Sequence, residues 1–191
     1  MTIIEILQAS QELGEGLTVE FKERLPKKDK DICKEIAAMA TMSGGHIFIG
    51  VDDDTNLVGL PKEYFGYVSK IENWVSDLIK PVPVIDCCWF KFSGKNLIYI
   101  YVKPGTHPVY YYDGRPFVRI SSKSQLAKPE EVGRLFLSYV SKDDIADLKK
   151  MASITPANSA ISVVGAGEFV FMRYDELLER LKNDFPILEQ K

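Results

Sequence analysis

The segment Ser43-Gly44-Gly45-His46-Ile47-Phe48-Ile49-Gly50-Val51-Asp52 is the part of the sequence that best defines the fold. The run from His46 to Val51 is apolar at consecutive positions, which is typical of a strand buried on both faces in the middle of a sheet. Upstream, apolar residues between Ile32 and Ala40 recur at helical spacing. The paired glycines between the two patterns allow the helix to end and the chain to turn tightly. We therefore predict a helix that leads directly into a central strand.

Further helices and strands are predicted on both sides of this unit. Thr2 and Glu5 form a capping-box pattern that starts a helix over 3–13, and Asp113-Gly114 is a strong hairpin signal. The remaining patterns predict strands over 17–22, 84–92, 97–103, 109–112 and 117–120, a return strand at 57–59, and helices over 64–78 and 129–140. Together they predict an α+β domain over residues 1–141, with a mixed or antiparallel sheet flanked by helices. Residues 142–191 are predicted to form a small α/β appendage, with a strand over 168–172 and a helix over 174–184.

Composition limits the class of protein. The chain has 191 residues, 46% of them apolar and 27% charged, which is typical of a soluble globular protein. The apolar stretches are broken well before ~18 residues, so no membrane span is expected. The N-terminus has no basic region before an apolar run, and three cysteines suit a reducing compartment. We therefore expect a cytoplasmic protein with no membrane partner.

The charge of the chain is unevenly distributed. The net charge is −3, yet the segment 91–123 has Asp113 as its only acidic residue. Tyrosines alternate with cations there, in the set Lys103, His107, Tyr110, Tyr111, Tyr112, Arg115, Arg119 and Lys123. Such a surface can neutralise phosphates and stack on unpaired bases. The alternative is a hairpin whose tyrosines pack on the core while its charges are solvated.

Three carboxylates form a candidate acidic site. Glu15 and Glu20 lie around the first strand, and Asp52 follows the central strand. A continuous strand would place Glu15 and Glu20 on opposite faces, but Gly14 and Gly16 allow Glu15 to lie in a preceding turn. Converging carboxylates would require a divalent cation, and Mg²⁺ or Mn²⁺ would suit oxygen ligands and activate water. The alternative is that all three are ordinary solvated carboxylates.

Other cofactors are not expected. The sequence lacks the Gly-x4-Gly-Lys-Ser/Thr pattern, so no ATP site is expected. It also lacks a Cys-x2-Cys pair and has only two histidines, so no zinc site is expected.

The order of these motifs resembles the Schlafen AlbA-like domain family. The resemblance covers about residues 10–135 and rests on Glu15 to Glu23, on Ser43 to Asp53, on Val102-Lys103-Pro104-Gly105 and on Phe117-Val118-Arg119-Ile120. It implies an α+β domain that binds nucleic acid. Bacterial and archaeal members are usually described as transcriptional regulators. Related animal proteins cleave transfer and ribosomal RNA with two glutamates, one aspartate and a divalent metal, and those positions correspond to Glu15, Glu20 and Asp52.

The sequence also departs from the family. Thr41 stands where asparagine is common, and the resemblance does not extend to residues 142–191. The animal proteins join two lobes, whereas this chain has one, so a homodimer would supply the second lobe.

Three hypotheses follow from the sequence. The first is a nucleic-acid-binding domain that is, if catalytic, a metal-dependent endoribonuclease acting on structured RNA, with Glu15, Glu20 and Asp52 as catalytic residues and metal ligands. The second is a non-catalytic DNA-binding transcriptional regulator, and the third is a protein-interaction module. In the first two, the predicted phosphate contacts are Lys22, Lys27, Lys28, Lys103, Arg115, Arg119 and Lys123.

Overall fold

The computed structural model describes residues 2–25, 29–139, 161–165 and 168–172 of the chain. The chain divides into two compact units, Met1–Tyr139 and Val140–Lys191. The first unit combines helices with mixed and antiparallel sheets, which confirms the predicted α+β class. Its helices are α1 (Ile3–Leu13), α2 (Ile32–Thr41), α3 (Tyr67–Leu78) and α4 (Pro129–Tyr139). Its strands are β1 (Val19–Lys22), β2 (Gly45–Ile49), β3 (Ile79–Lys80), β4 (Ile85–Phe92), β5 (Lys95–Val102), β6 (Tyr111–Tyr112), β7 (Arg115–Ile120) and β8 (Lys123–Leu126).

The first sheet has the strand order β1-β2-β5-β4. Strand β1 pairs with β2 in parallel, and the other pairs are antiparallel, so the sheet is mixed. Strand β2 lies between β1 and β5, which confirms the predicted central strand. The predicted helix before it ends at Thr41, and Gly44 then adopts a left-handed φ of 72° in the turn that leads into β2.

Both faces of β2 are buried, as its apolar sequence indicates. Ile47 and Ile49 pack on one face with Ile36 of α2. Phe48 packs on the other face with Leu7 of α1. All five of these side chains are fully buried: Leu7, Ile36, Ile47, Phe48 and Ile49. Each such burial stabilises the fold by about 1.5–3 kcal/mol.

A second, antiparallel sheet has the order β3-β6-β7-β8. Helix α2 packs against β7 of this sheet as well as against β5 of the first sheet. Every residue of α2 except Lys34 is therefore buried, including Glu35. The predicted hairpin is confirmed: Asp113 and Gly114 both have positive φ and connect β6 to β7.

Some elements differ from the sequence prediction. The predicted return strand over 57–59 is reduced to one isolated bridge between Val51 and Leu57. Lys62–Gly66 forms a 3₁₀ turn before α3. The sequence does not predict β3 or β8, because β3 has only two residues and β8 lacks apolar alternation.

In the second unit, strands β9 (Ile161–Gly165) and β10 (Glu168–Met172) form an antiparallel pair. The predicted strand over 168–172 is thereby confirmed, while the predicted helix over 174–184 lies outside the described residues. Within the described parts of the chain, every helix is too short or too polar to cross a membrane.

Candidate functional site

A buried ionic cluster joins both sheets to α2. At its centre is Arg119 of β7, whose side chain is fully buried. Its Nη2 donates to a carboxylate oxygen of Glu20 at 2.6 Å, and its Nη1 donates to one of Glu35 at 3.3 Å. Lys22 also pairs with Glu20, and the Ser124 hydroxyl donates to Glu35. We call these five residues the ionic cluster.

Strand geometry explains why these side chains meet. Successive side chains of a strand point to opposite faces. Phe21 of β1 packs with α1, so Glu20 points to the face that α2 covers. Arg119 lies directly opposite Ser124 in the β7–β8 register, so both project from one face of the second sheet. Glu35 comes from α2, which packs between the two sheets.

The charges of the ionic cluster balance, with two carboxylates against two cations. Burial raises the pKa of Glu20, while the hydrogen bond from Lys22 and the charge of Arg119 oppose that rise. Burial alone would lower the pKa of Lys22, but its hydrogen bond and attraction to Glu20 outweigh this and raise the pKa. Every buried side-chain nitrogen and oxygen in the described residues has a hydrogen-bond partner. The cluster is thus a closed, satisfied network.

Two of the predicted site residues close the open edge of β1. This strand has a neighbour on one side only, and the carbonyls of Thr18 and Lys22 face that neighbour, β2. Because these groups alternate sides along a strand, the backbone groups of Val19 and Phe21 point outwards. The Phe21 amide donates to a Glu15 carboxylate oxygen at 2.9 Å, and the Val19 carbonyl accepts from Nη2 of Arg119 at 2.8 Å.

Arg119 also fixes the turn before β1. Its Nε donates to the Gly16 carbonyl at 2.8 Å. The Gly16 amide in turn donates to the Val19 carbonyl at 3.1 Å. The turn that carries Glu15 is therefore held by a guanidinium from a strand about a hundred residues away in sequence.

Asp52 is engaged in a different local structure. One of its carboxylate oxygens accepts from the Asn56 amide at 2.8 Å, and the other accepts from the Asn56 side chain at 3.1 Å. The three predicted site carboxylates thus have separate roles. Glu15 caps a strand edge, Glu20 forms ion pairs and Asp52 stabilises a turn. No group of three or more His, Cys, Asp or Glu side chains in the described residues is placed to hold a metal ion. This arrangement does not fit a Mg²⁺ or Mn²⁺ centre.

The predicted phosphate contacts lie in different environments. Lys103, Arg115 and Lys123 are exposed, and the Nζ of Lys103 lies 3.6 Å from a carboxylate oxygen of Asp86. Lys22 is held by Glu20, and Lys27 and Lys28 lie outside the described residues. Arg119 differs from the expectation: it is in the interior, because two buried carboxylates and two backbone carbonyls occupy its guanidinium.

The tyrosines of the basic stretch are also less exposed than a stacking surface requires. Tyr110 is buried, and its amide donates to the Thr41 hydroxyl at 3.0 Å. That hydroxyl donates to the Ala37 carbonyl of α2. Thr41, at the position where the family commonly has asparagine, therefore connects the end of α2 to the segment before β6. The Tyr112 hydroxyl donates to Asp31, so this ring is also tied to the core.

A second group of aromatic residues was not predicted as a site. It consists of Tyr64 and Phe65 from the 3₁₀ turn, Tyr67 and Trp74 from α3, and Trp89 from β4. We call it the aromatic surface. The sequence signal was the helical spacing of Tyr67 and Trp74, which also fits an ordinary core helix. Glu35 and Ser124 were missed as well, although a glutamate within the mainly apolar α2 sequence was an available signal.

Comparison with solved structures shows a similar fold. No curated protein matches the chain significantly. Among solved structures, the DIP2311 protein from Corynebacterium diphtheriae is similar, with a TM-score of 0.54 at 17% identity. The match covers 98% of this chain and 34% of that one, so the chain spans about a third of the length of that relative.

A second solved structure is the N-terminal domain of an ATP-dependent DNA helicase RecG-related protein from Nitrosomonas europaea. It has 21% identity and a TM-score of 0.43 over 52% of this chain and 71% of that one. The family model "Schlafen, AlbA_2" matches residues 15–128, which include β1, the ionic cluster and the central strand. The chain therefore belongs to the Schlafen, AlbA_2 family.

Proposed function

We propose that this chain acts by binding nucleic acid without cleaving it, and that its motif carboxylates stabilise the fold. The observation that carries this proposal is the closed ionic cluster. Glu20 has Arg119 and Lys22 as partners, and its side chain is only 4% exposed. Each of its carboxylate oxygens is bonded to one of these cations, and the side chain is almost inaccessible to a ligand.

Electrostatics supports the binding step. Lys103, Arg115 and Lys123 are exposed and lie in the segment whose charge is positive. Lysine and arginine side chains on a surface bind phosphates by displacing condensed counterions, which makes affinity fall steeply with salt. These three residues are the proposed phosphate contacts. Because RNA and DNA share the phosphate group, the experiment compares both.

Metal-dependent cleavage of RNA would need a different arrangement. Glu15, Glu20 and Asp52 would have to converge on one cation, so Glu20 would have to leave Arg119. That change would leave a buried guanidinium with one carboxylate fewer, at a cost of several kcal/mol. Binding without cleavage therefore agrees better with the geometry.

The test uses the whole chain with labelled transfer RNA and with single- and double-stranded DNA, in Mn²⁺ or in EDTA. We expect salt-sensitive mobility shifts that are equal in both buffers, with intact nucleic acid. Cleavage that requires Mn²⁺ and disappears in Glu20→Gln, but not in the exposed control Glu63→Gln, would instead establish an endoribonuclease. Absence of binding at low salt would refute the proposal and favour a protein-interaction module.

A further inference from the structure

Strand β4 forms one edge of the first sheet and pairs with β5 along its whole length. The Val84 carbonyl, just before β4, accepts from the Lys103 amide at 3.0 Å and so faces β5. Because these directions alternate along an antiparallel strand, every second residue of β4 directs its amide and carbonyl away from the sheet. We call them the outward residues: Ile85, Cys87, Trp89 and Lys91. Within the described parts of the chain, no hydrogen bond reaches these backbone groups from outside the sheet.

The two edges of this sheet differ. At β1, the Glu15 carboxylate accepts from the Phe21 amide, and Arg119 donates to the Val19 carbonyl. The edge of β4 is eight residues long and has no such cover from the described residues. An uncovered edge strand is a template for a further strand, because only a strand offers donors and acceptors at the matching spacing.

The side chains of β4 also favour a strand as the occupant. Cys87 and Trp89 pack against the core that α3 covers, and Cys88 and Phe90 pack against the core that α1 covers. All four remain partly exposed, because the sheet ends at this strand. A strand added in the plane of the sheet would extend both cores at once, whereas a helix or a small ligand would cover one face.

The positions of the outward residues select a second copy of the same strand. A two-fold axis at Cys88 pairs Ile85 with Lys91 of the second copy, and Cys87 with Trp89 of the second copy. Each outward residue then meets another outward residue, and every exposed amide and carbonyl of the edge gains a partner.

Other two-fold registers lose a pair. A shift of the axis by one residue in one direction sets Lys91 against Pro83, which has no amide hydrogen. A shift in the other direction sets Ile85 against Ser93, which lies in the turn between β4 and β5. The sequence of the edge therefore specifies one symmetric register.

The charges of this edge are complementary to the second copy in the same register. Burial, and to a smaller extent the charge of Glu72, raise the pKa of the Cys87 thiol to about 12, so Glu72 of α3 lies near Cys87. Lys91 projects from the same face of β4 and is diagonal to Cys87 of the second copy, within reach of a long side chain. Neither Lys91 nor Glu72 forms an ion pair among the described residues, whereas Asp86 has Lys103 at 3.6 Å.

We propose that two copies of this chain pair through β4, antiparallel about a two-fold axis at Cys88, so that their four-stranded sheets join into one. Lys91 of each copy pairs with Glu72 of the other and fixes the register. This inference is independent of nucleic-acid binding, and it assigns the homodimer a specific interface.

Cys88 supplies a chemical reporter of this interface. Residues directly opposite in a pair without hydrogen bonds have Cα atoms about 4.5 Å apart, and a disulfide spans about 4.4–6.8 Å. The experiment treats the full chain with copper–phenanthroline in air, which takes two electrons and two protons from a pair of thiols, and resolves dimers on non-reducing gels. We expect a disulfide-linked dimer from the wild type and from the matched control Cys87→Ser, but not from Cys88→Ser.

Charge reversal tests the register without an oxidant. Sedimentation velocity over a concentration series gives the dimer dissociation constant of each variant. Lys91→Glu should raise this constant about fivefold or more, because the axis repeats the lost ion pair twice, and Glu72→Lys should do the same. The double variant should restore the wild-type value. Lys128→Glu, an exposed lysine outside β4, is the control, and circular dichroism melts show whether each variant is folded.

Three results would overturn this interface. The first is a chain that sediments as a monomer throughout the series. The second is a dimer whose dissociation constant Lys91→Glu leaves unchanged, since that dimer would use another surface. The third is cross-linking that Cys87→Ser and Cys88→Ser reduce equally, which would indicate random collision. None of these measurements involves nucleic acid, so the proposed function stands or fails separately.

Discussion

Replacement of Arg119 by methionine is the sharpest perturbation of this domain. Methionine is similar in length to arginine and keeps an apolar stem, but it lacks the guanidinium, which is fully buried in this domain. It leaves Glu20 and Glu35 buried, with Lys22 and Lys34 as the remaining cationic partners in the described residues. It also removes the donors to the carbonyls of Gly16 and Val19.

The expected loss can be estimated from these contacts. Removal of one partner from a buried ion pair typically costs about 3–5 kcal/mol, because the remaining charge is uncompensated. Lys22 reduces this penalty for Glu20, but Glu35 retains only Lys34 as a cationic partner among the described residues, and Lys34 is partly exposed. We therefore expect Arg119→Met to lower the free energy of unfolding by about 3–5 kcal/mol. This is a large part of the whole free energy of unfolding of a typical domain.

Urea denaturation followed by circular dichroism measures this loss. The matched control is Arg115→Met, an exposed arginine at the start of the same strand, for which we expect a change within about 0.5 kcal/mol. Addition of Glu20→Gln and Glu35→Gln to Arg119→Met should recover part of the loss, since the unpaired charges then disappear. A loss for Arg119→Met that equals the loss for Arg115→Met would refute the reasoning about the ionic cluster.

Three further predictions concern other parts of the chain. Lys123→Ala should reduce the slope of log affinity against log salt by about one, measured by fluorescence anisotropy with labelled nucleic acid. Burial raises the pKa of the Cys33 thiol from 9.0 to about 12, so its contribution to stability is complete below pH 9 and is lost as the pH approaches 12. Cys33→Ala should flatten the alkaline fall in melting temperature relative to the wild type, and an identical fall in both would contradict this. Gly105→Ala would press a methyl group into the Tyr110 ring and the Ala40 carbonyl, so we expect a loss of about 1–3 kcal/mol in urea denaturation. Gly66→Ala meets open space and is the control, and equal stability of the two variants would refute the packing argument.

The fold could be predicted largely because its central elements carry strong local signals. The apolar run of β2, the capping box of α1 and the Asp113-Gly114 turn each specify local structure without help from distant residues. Strand β8 lacked such a signal, because its pairing with β7 depends on tertiary contact. The predicted homodimer stays a prediction, which light scattering on the purified chain would check.

The candidate site was harder to predict, for a physical reason. Charged residues have the same sequence signature whether they face solvent or another charge. Arg119 and Lys123 lie on neighbouring strands, yet one is buried against two carboxylates and the other is exposed. The difference arises from α2, which brings Glu35 to the face of β7 that Arg119 occupies. Only the packing of three elements distant in sequence decides the role of each charge.

The closed edge of β1 also bears on how the protein behaves when it is stressed. An edge strand with outward amide and carbonyl groups is a template for a strand of another molecule, and such pairing leads to aggregation. Here the Glu15 carboxylate covers the Phe21 amide, and Arg119 covers the Val19 carbonyl. Glu15→Ala would uncover the Phe21 amide on the edge of this short strand at little cost to the core. Such a variant should melt near the wild-type temperature but form intermolecular β-structure on prolonged heating. Glu15 would then be a residue that prevents self-association through the edge of β1.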